Sequence, residues 1–252
     1  MRLIWQLLGA IAFYTTLPLP HRWPLEFAGI ARWAPGIGVG LGLGLAGLDL
    51  GLTLVGLPLW PRSAVVVASW LGVTGGLHLD GAMDLADGLA VPDRDRRLAV
   101  MADSRAGAFG VMAAVLILML KTVALASLEE GRWLALVGAA GWGRWGQLLA
   151  IARYPYLKLT GKGAFHKTTI HSAWAALPTG LLLLGLSGWV GWQFPALRVQ
   201  AVLVGGGGGA IAIWLGAWIQ RQLGGHTGDT YGAVVEWTEA IVVCLCTIQP
   251  PE

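Results

Sequence analysis

Charge is scarce in this chain. Asp, Glu, Lys and Arg make up only 12% of its 252 residues, about half the share usual in soluble domains. Cysteine is nearly absent. Cys244 and Cys246 are too few for a disulfide framework or a four-ligand zinc site, and their place inside an apolar run marks them as packing residues. No GxxxxGK[ST] phosphate loop occurs, since Gly161-Lys162 lacks the upstream glycine and runs on into Gly163. What the chain holds in excess is apolar: 56% Ala, Val, Ile, Leu, Met, Phe, Trp, Tyr and Cys, with 38 glycines. That excess excludes a disordered chain, which needs low hydrophobicity, and a water-soluble globule.

A helix needs about 20 mostly apolar residues to cross a bilayer. Seven stretches suit this role: 34–57, a shorter 63–79, 108–128, 133–152, 172–193, 199–218 and 231–248. An eighth, 3–19, exits through Leu17-Pro18-Leu19-Pro20 and lacks a signal peptide's small-residue cleavage site. It reads as an uncleaved helix, either interfacial or spanning. The expected fold is therefore all-α: a polytopic membrane bundle of seven or eight helices. It forms one domain over 1–252, with 1–33 as the N-terminal helix and Pro-rich segment and 34–248 as the bundle.

The basic residues orient the bundle. Arg94, Arg96, Arg97, Arg105, Arg153, Lys158, Lys162, Lys167 and Arg221 fall in the connections after the second, fourth and sixth spans. Only Arg62, Arg132 and Arg198 fall in the opposite ones. By the positive-inside rule the first set is cytoplasmic. This asymmetry accounts for the basic isoelectric point, so a nucleic-acid partner is not expected. Asp80, Asp84, Asp87, Asp93, Asp95, Asp103 and Asp229 gather on the same side. Acids contribute little to orientation, so their clustering points to a site.

Gly36, Gly40 and Gly44 have the spacing that lets membrane helices approach closely. Gly42-Leu43-Gly44-Leu45-Ala46-Gly47 fits GxGxxG by letter, but it sits within an apolar span rather than between strand and helix. The Gly205–Gly209 run reads as tight packing or a loosened helix.

Three clusters carry chemistry. Asp80, Asp84 and Asp87 stand at i, i+4 and i+7, on one helix face. No lysine partners them there, and hard divalent cations take such oxygen ligands together with substrate phosphates. Asp103-Ser104-Arg105 with Gly107 and Gly110 is either a helix cap or a phosphate contact. Gly225-His226-Thr227-Gly228-Asp229 opens the last span, which carries Glu236 and Glu239 within its apolar run. Intramembrane carboxylates are functional by default. Here the alternatives are a structural ion pair with Arg144, at comparable depth, or a place at the site, with Lys121 as a further structural partner. His78, beside the acids, is a candidate proton acceptor. His166 and His171 read as solvated. The picture is metal-assisted transfer of a phosphate-linked group at the cytoplasmic membrane surface.

These motifs in order resemble the cobalamin synthase family, the adenosylcobinamide-GDP ribazoletransferases. The likeness rests on Gly75-Gly76-x-His78-Leu79-Asp80-Gly81-x-x-Asp84-x-x-Asp87-Gly88, Asp103-Ser104-Arg105-x-Gly107 and Gly225-x-Thr227-Gly228-Asp229-Thr230-x-Gly232-Ala233-x-x-Glu236-x-x-Glu239. Phe13-x-Thr15-x-Leu17-Pro18-x-Pro20 resembles the family's opening. The resemblance implies a Mg²⁺-dependent enzyme of the cell inner membrane with cytoplasmic site loops. It would join adenosylcobinamide-GDP to alpha-ribazole, or its 5′-phosphate, and release GMP. Its partners would be those substrates, the lipid bilayer and other cobalamin-assembly enzymes.

On this reading Asp80, Asp84, Asp87 and Asp103 bind Mg²⁺, and Asp103 or His78 accepts the hydroxyl proton. Arg105 and Lys158 hold phosphates. Arg144, Thr227, Asp229, Glu236 and Glu239 bind substrate. Lys158 and Gly161-Lys162-Gly163 depart from the family's Arg and Gly-Leu-Gly. Asp84-x-x-Asp87-Gly88 also resembles the opening of the CDP-alcohol phosphotransferase motif, whose continuation is missing. An enzyme of that kind, acting on another nucleotide-activated substrate, is one alternative. An ion-coupled carrier using the intramembrane charges is the other.

Overall fold

The computed structural model describes residues 1–158, 164–167, 169–170 and 172–248. Gly161, Lys162, Gly163, His171 and Glu252 lie outside the described residues. Among those described, the chain is helical, with one isolated backbone bridge between Tyr156 and His226. The helices are α1 (Arg2–Tyr14), α2 (Ala34–Leu54), α3 (Leu59–Thr74), α4 (Leu77–Ala90), α5 (Arg94–Val100), α6 (Ala108–Ala126), α7 (Arg132–Arg153), α8 (Ala164–Lys167), α9 (Leu177–Gln193), α10 (Arg198–Val202), α11 (Gly208–Leu223) and α12 (Gly228–Leu245). A π-turn, Leu203–Gly207, joins α10 to α11, so the glycine run does loosen its helix.

Four segments are long and apolar enough to cross a membrane: Ile30–Leu54, Ala108–Ala126, Ala173–Gln193 and Pro195–Leu223. They mark the chain as a membrane protein. The expected seven or eight crossings are not all established by length and apolarity. Helix α1 has 13 residues and α3 has 16, short of the roughly 20 that a bilayer asks for. Helices α7 and α12 have the length, but carry buried charge: Arg132 and Arg144 on one, Glu236 and Glu239 on the other.

Helix α7 is central. It is buried on nearly every side, as expected for an interior helix, and packs against α2, α12 and α11. Small residues make this approach close. A Cβ on Gly38 would strike the Ala140 carbonyl, and one on Gly42 would lie 2.5 Å from the Val137 Cα. The predicted stripe of Gly36, Gly40 and Gly44 is not the contact: among the described residues, no atom outside its own helix stands within 4 Å of a Cβ built there. The α2 face turned to α7 is two residues out of phase with that stripe.

The chain reverses from α3 into α4 through Gly75 and Gly76, with φ of 62° and 69°, a conformation that favours glycine. Helix α4 then crosses α12 with almost no side chain between them. A Cβ on Gly81 would strike the Asp229 carbonyl, and one on Gly232 would lie 2.9 Å from the His78 carbonyl oxygen.

Candidate active site at the crossing of the acidic and terminal helices

The α4–α12 crossing sets Asp229, in the first turn of α12, against the acids of α4. Asp84 feels the crowding. Partial burial first, then the charges of Asp80, Asp229 and Asp87, push its carboxyl up to about 7 against the pull of Lys158. Asp80 is exposed, while Asp84 and Asp87 are half-buried. Asp87 accepts the Gly107 and Gly110 amides, each at 2.8 Å. It thereby satisfies two of the unpaired donors where α6 begins. A Cβ on either glycine would run into this carboxylate, which explains their spacing after Asp103-Ser104-Arg105.

Lys158 donates to Asp229 Oδ2 at 2.8 Å. The Tyr156–His226 bridge holds it there: Leu157 N donates to the His226 carbonyl at 2.8 Å, and His226 N to the Pro155 carbonyl at 2.9 Å. Thr227 is a buried cap rather than a wall of the cavity. Its hydroxyl accepts the Thr230 amide at 3.3 Å and donates to Asp229 Oδ2 at 3.2 Å. Asp103 and Arg105 form an exposed ion pair at 2.6 Å. The Arg105 hydrogen bonds hold the Asp103 carboxyl down at about 2, which makes it a weak proton acceptor. Arg105 is shifted further up by the same bond.

A cavity of about 240 Å³ opens beside these groups. Asp80, Lys158 and Asp229 stand at its mouth. Its deeper wall includes His78, Gln147, His166 and Tyr231, each no more than 4% exposed. The His78 ring lies parallel to Tyr14 at 6.2 Å, and neither of its nitrogens has a hydrogen-bond partner among the described residues. His166 is not solvated as the sequence suggested. It packs edge-on to Phe13 at 5.3 Å and parallel to Tyr14 at 6.4 Å, and burial holds it down at about 4.

Arg144, Glu236 and Glu239 do not line this cavity. They close on one another in the interior together with Lys121. The lysine donates to Glu236 Oε2 and Glu239 Oε2, each at 2.6 Å, and Arg144 donates to Glu239 Oε1 at 2.5 Å. Two cations face two anions, the ion-pair alternative left open above. Charges already neutralised by close partners are poorly placed to carry an ion through the membrane.

Among the described residues no three His, Cys, Asp or Glu side chains are arranged to hold a metal ion by themselves. The donor set still suits Mg²⁺, which is usually held by one or two carboxylates plus substrate phosphates and water. Asp84 and Asp80 offer hard oxygens in a crowded negative field that a cation relieves, whereas Asp87 already serves α6 and Asp103 already pairs with Arg105.

Sequence reasoning missed Gln147, Tyr156 and Tyr231 at this cavity, and Tyr14 packed behind its His78 wall. Only Gln147, polar and three residues beyond Arg144 in an apolar helix, left a readable signal. It also missed Asp49 inside the first long span, whose carboxylate accepts from Arg132 Nη2 at 2.6 Å and lies 3.2 Å from Arg62 Nε.

Residues 6–247 match the cobalamin-5-phosphate synthase family. A protein of Trichormus variabilis named adenosylcobinamide-GDP ribazoletransferase is 55% identical, over 98% of this chain and 98% of its own. One of the same name from Synechococcus elongatus is 51% identical over 98% of each. Another, from Brevibacillus brevis, is 36% identical over 94% of this chain and 95% of its own. No solved structure matches.

Proposed function

Because the chain belongs to the cobalamin-5-phosphate synthase family, we propose that it is an adenosylcobinamide-GDP ribazoletransferase working at the α4–α12 crossing. A ring hydroxyl oxygen of the ribose, free in both alpha-ribazole and its 5′-phosphate, attacks the phosphorus on the cobinamide side of the pyrophosphate. A new P–O bond forms, the bridging P–O bond breaks, and GMP leaves with the electron pair. The observation that carries this reading is the crowding of Asp84 by Asp80, Asp87 and Asp229 with Lys158 beside them. That is a negative pocket with the Lys158 cation at its rim.

Asp84 and Asp80 would hold a Mg²⁺ ion, which when bound supplies charge neutralisation on the pyrophosphate. Lys158 can swing from Asp229 to a phosphate oxygen, and Arg105, exposed on its loop, can close over the same charge. Asp229, at the mouth, and His78, deeper in the cavity wall, are the groups placed to take the hydroxyl proton, ahead of the strongly acidic Asp103. The nine-to-three distribution of basic residues supports a cytoplasmic site in a multi-pass protein of the inner membrane.

The test is GMP release from adenosylcobinamide-GDP and ribazole in detergent, with no ion gradient present. Wild-type release is expected, and its absence removes the reading. Asp84→Asn should lower turnover about a hundredfold by weakening the hold on the Mg²⁺ ion that neutralises the pyrophosphate. Near-normal turnover with Mg²⁺ would remove the metal from the scheme.

A further inference from the structure

Most of the deep wall of the cavity plays no part in the phosphate chemistry. The mouth is charged, with Asp80, Lys158 and Asp229. The interior is built from rings: Phe13 from α1, His78 from α4, His166 from α8, Tyr231 from α12 and Tyr156 from the segment that bridges to His226. Tyr156 and Tyr231 face each other at 6.1 Å with an interplanar angle of 28°. Walls of this kind suit a flat aromatic guest.

The same interior carries polar atoms without hydrogen-bond partners among the described residues. They are both His78 nitrogens, Gln147 Oε1, His166 Nδ1 and the Tyr231 hydroxyl, on residues 1%, 4%, 2% and 1% exposed. A buried polar group left unpaired costs about 1–3 kcal/mol. Several around one cavity therefore mark a site completed by a polar ligand rather than a void between helices.

Size and chemistry choose between the pieces of the two substrates. A cavity of about 240 Å³ has room for a bicyclic base and part of a sugar, and far too little for a corrin ring with its side chains. Guanine presents an edge of N–H donors that a carboxylate reads best, yet the acids stand at the mouth and the described deep wall has none. Ribazole's base presents one free ring nitrogen and a broad apolar face. Its ribose hydroxyls can both donate and accept.

Resting on the transferase reading, we propose that this cavity is the acceptor subsite. The ribazole base lies among the Phe13, Tyr156, His166 and Tyr231 rings, the nucleoside's polar atoms meet Gln147, His78 and Tyr231, and the ring hydroxyls of the ribose turn out toward Lys158 and Asp229. The orientation delivers the attacking hydroxyl to the mouth, where the pyrophosphate of the second substrate docks from the cytoplasmic side. Tyr231 and Gln147 are then specificity residues for the acceptor.

The experiment uses the full chain in detergent and measures KM for each substrate, together with binding of alpha-ribazole alone by equilibrium dialysis. Tyr231→Phe and Gln147→Leu should each raise the KM for ribazole and weaken its binding about tenfold, the loss of one buried hydrogen bond. The KM for adenosylcobinamide-GDP should stay within about twofold, a result that a merely misfolded variant would not give. If Gln147→Leu does not fold, Tyr231→Phe, which removes a single oxygen, decides alone. An increase in the KM for adenosylcobinamide-GDP instead, or no change in either, overturns the subsite. If wild type releases GMP but these variants leave ribazole untouched, the subsite falls and the reaction stands. If wild type binds ribazole and the variants weaken it, yet no GMP is released, the reaction falls and the subsite stands.

Discussion

At the scale of single residues, the interior charges are the most exposed to substitution. Glu239 faces both Lys121 and Arg144, so Glu239→Gln leaves two buried cations against one carboxylate. Breaking a buried pair in this way costs about 3–5 kcal/mol. Thermal inactivation in detergent should reveal a large loss, and a melting temperature close to wild type would refute the closed network. His226 is a second case. Its ring lies between Tyr154 and Tyr231, and its Nε2 lies 3.1 Å from the Gly216 carbonyl. Burial, helped by Lys167 and opposed by that hydrogen bond, holds it down at about 4. The unfolded chain therefore takes up the proton first. The ring's contribution is complete above about 6.5 and drains away as pH falls toward 4, roughly 3 kcal/mol at full effect. His226→Gln should flatten the stability profile over that window, with the residual slope left by His166. An unchanged profile would place the pH sensitivity elsewhere.

At the scale of elements, the site depends on how closely α4 and α12 approach. Gly81→Ala puts a methyl into the Asp229 carbonyl. Overpacking of this kind costs about 1–3 kcal/mol, and it separates Asp84 from Asp229. Gly40→Ala on α2 meets no atom outside its own helix within 4 Å among the described residues and should be neutral, or gain about 0.5–1 kcal/mol from restricting the unfolded chain. Comparing the two by melting temperature and GMP release separates a crossing requirement from general intolerance of glycine replacement. Equal effects would deny the crossing its role. Most helices were legible from long apolar runs broken by Pro, Gly and charge, but the expected 63–79 span is cut by the Gly75–Gly76 reversal into the end of α3 and the start of α4. The phase of α2 was not legible: Gly36, Gly40, Gly44 and Gly38, Gly42 have the same spacing, and only the position of α7 selects between them.

At the scale of the whole molecule, the basic connections predict one sidedness. In a background lacking Cys244 and Cys246, Ser104→Cys should react with an impermeant maleimide in inverted vesicles, and Glu130→Cys in intact spheroplasts. Both positions are exposed. The opposite pattern would turn the acidic face away from the cytoplasm and end the proposed reaction there.

The amino-acid order alone determined that the chain is helical and membrane-embedded, and that Asp80, Asp84 and Asp87 share a face. These follow from composition and from a helical period confined to one segment. Only the tertiary structure decided which charges neutralise one another and which remain at a site. Lys121, Arg144, Glu236 and Glu239 are brought together from α6, α7 and α12. The aromatic cavity likewise draws its walls from α1, α4, α7, α8 and α12. Proximity across helices depends on their crossing and rotation, and those are set by where a missing Cβ allows two backbones to touch.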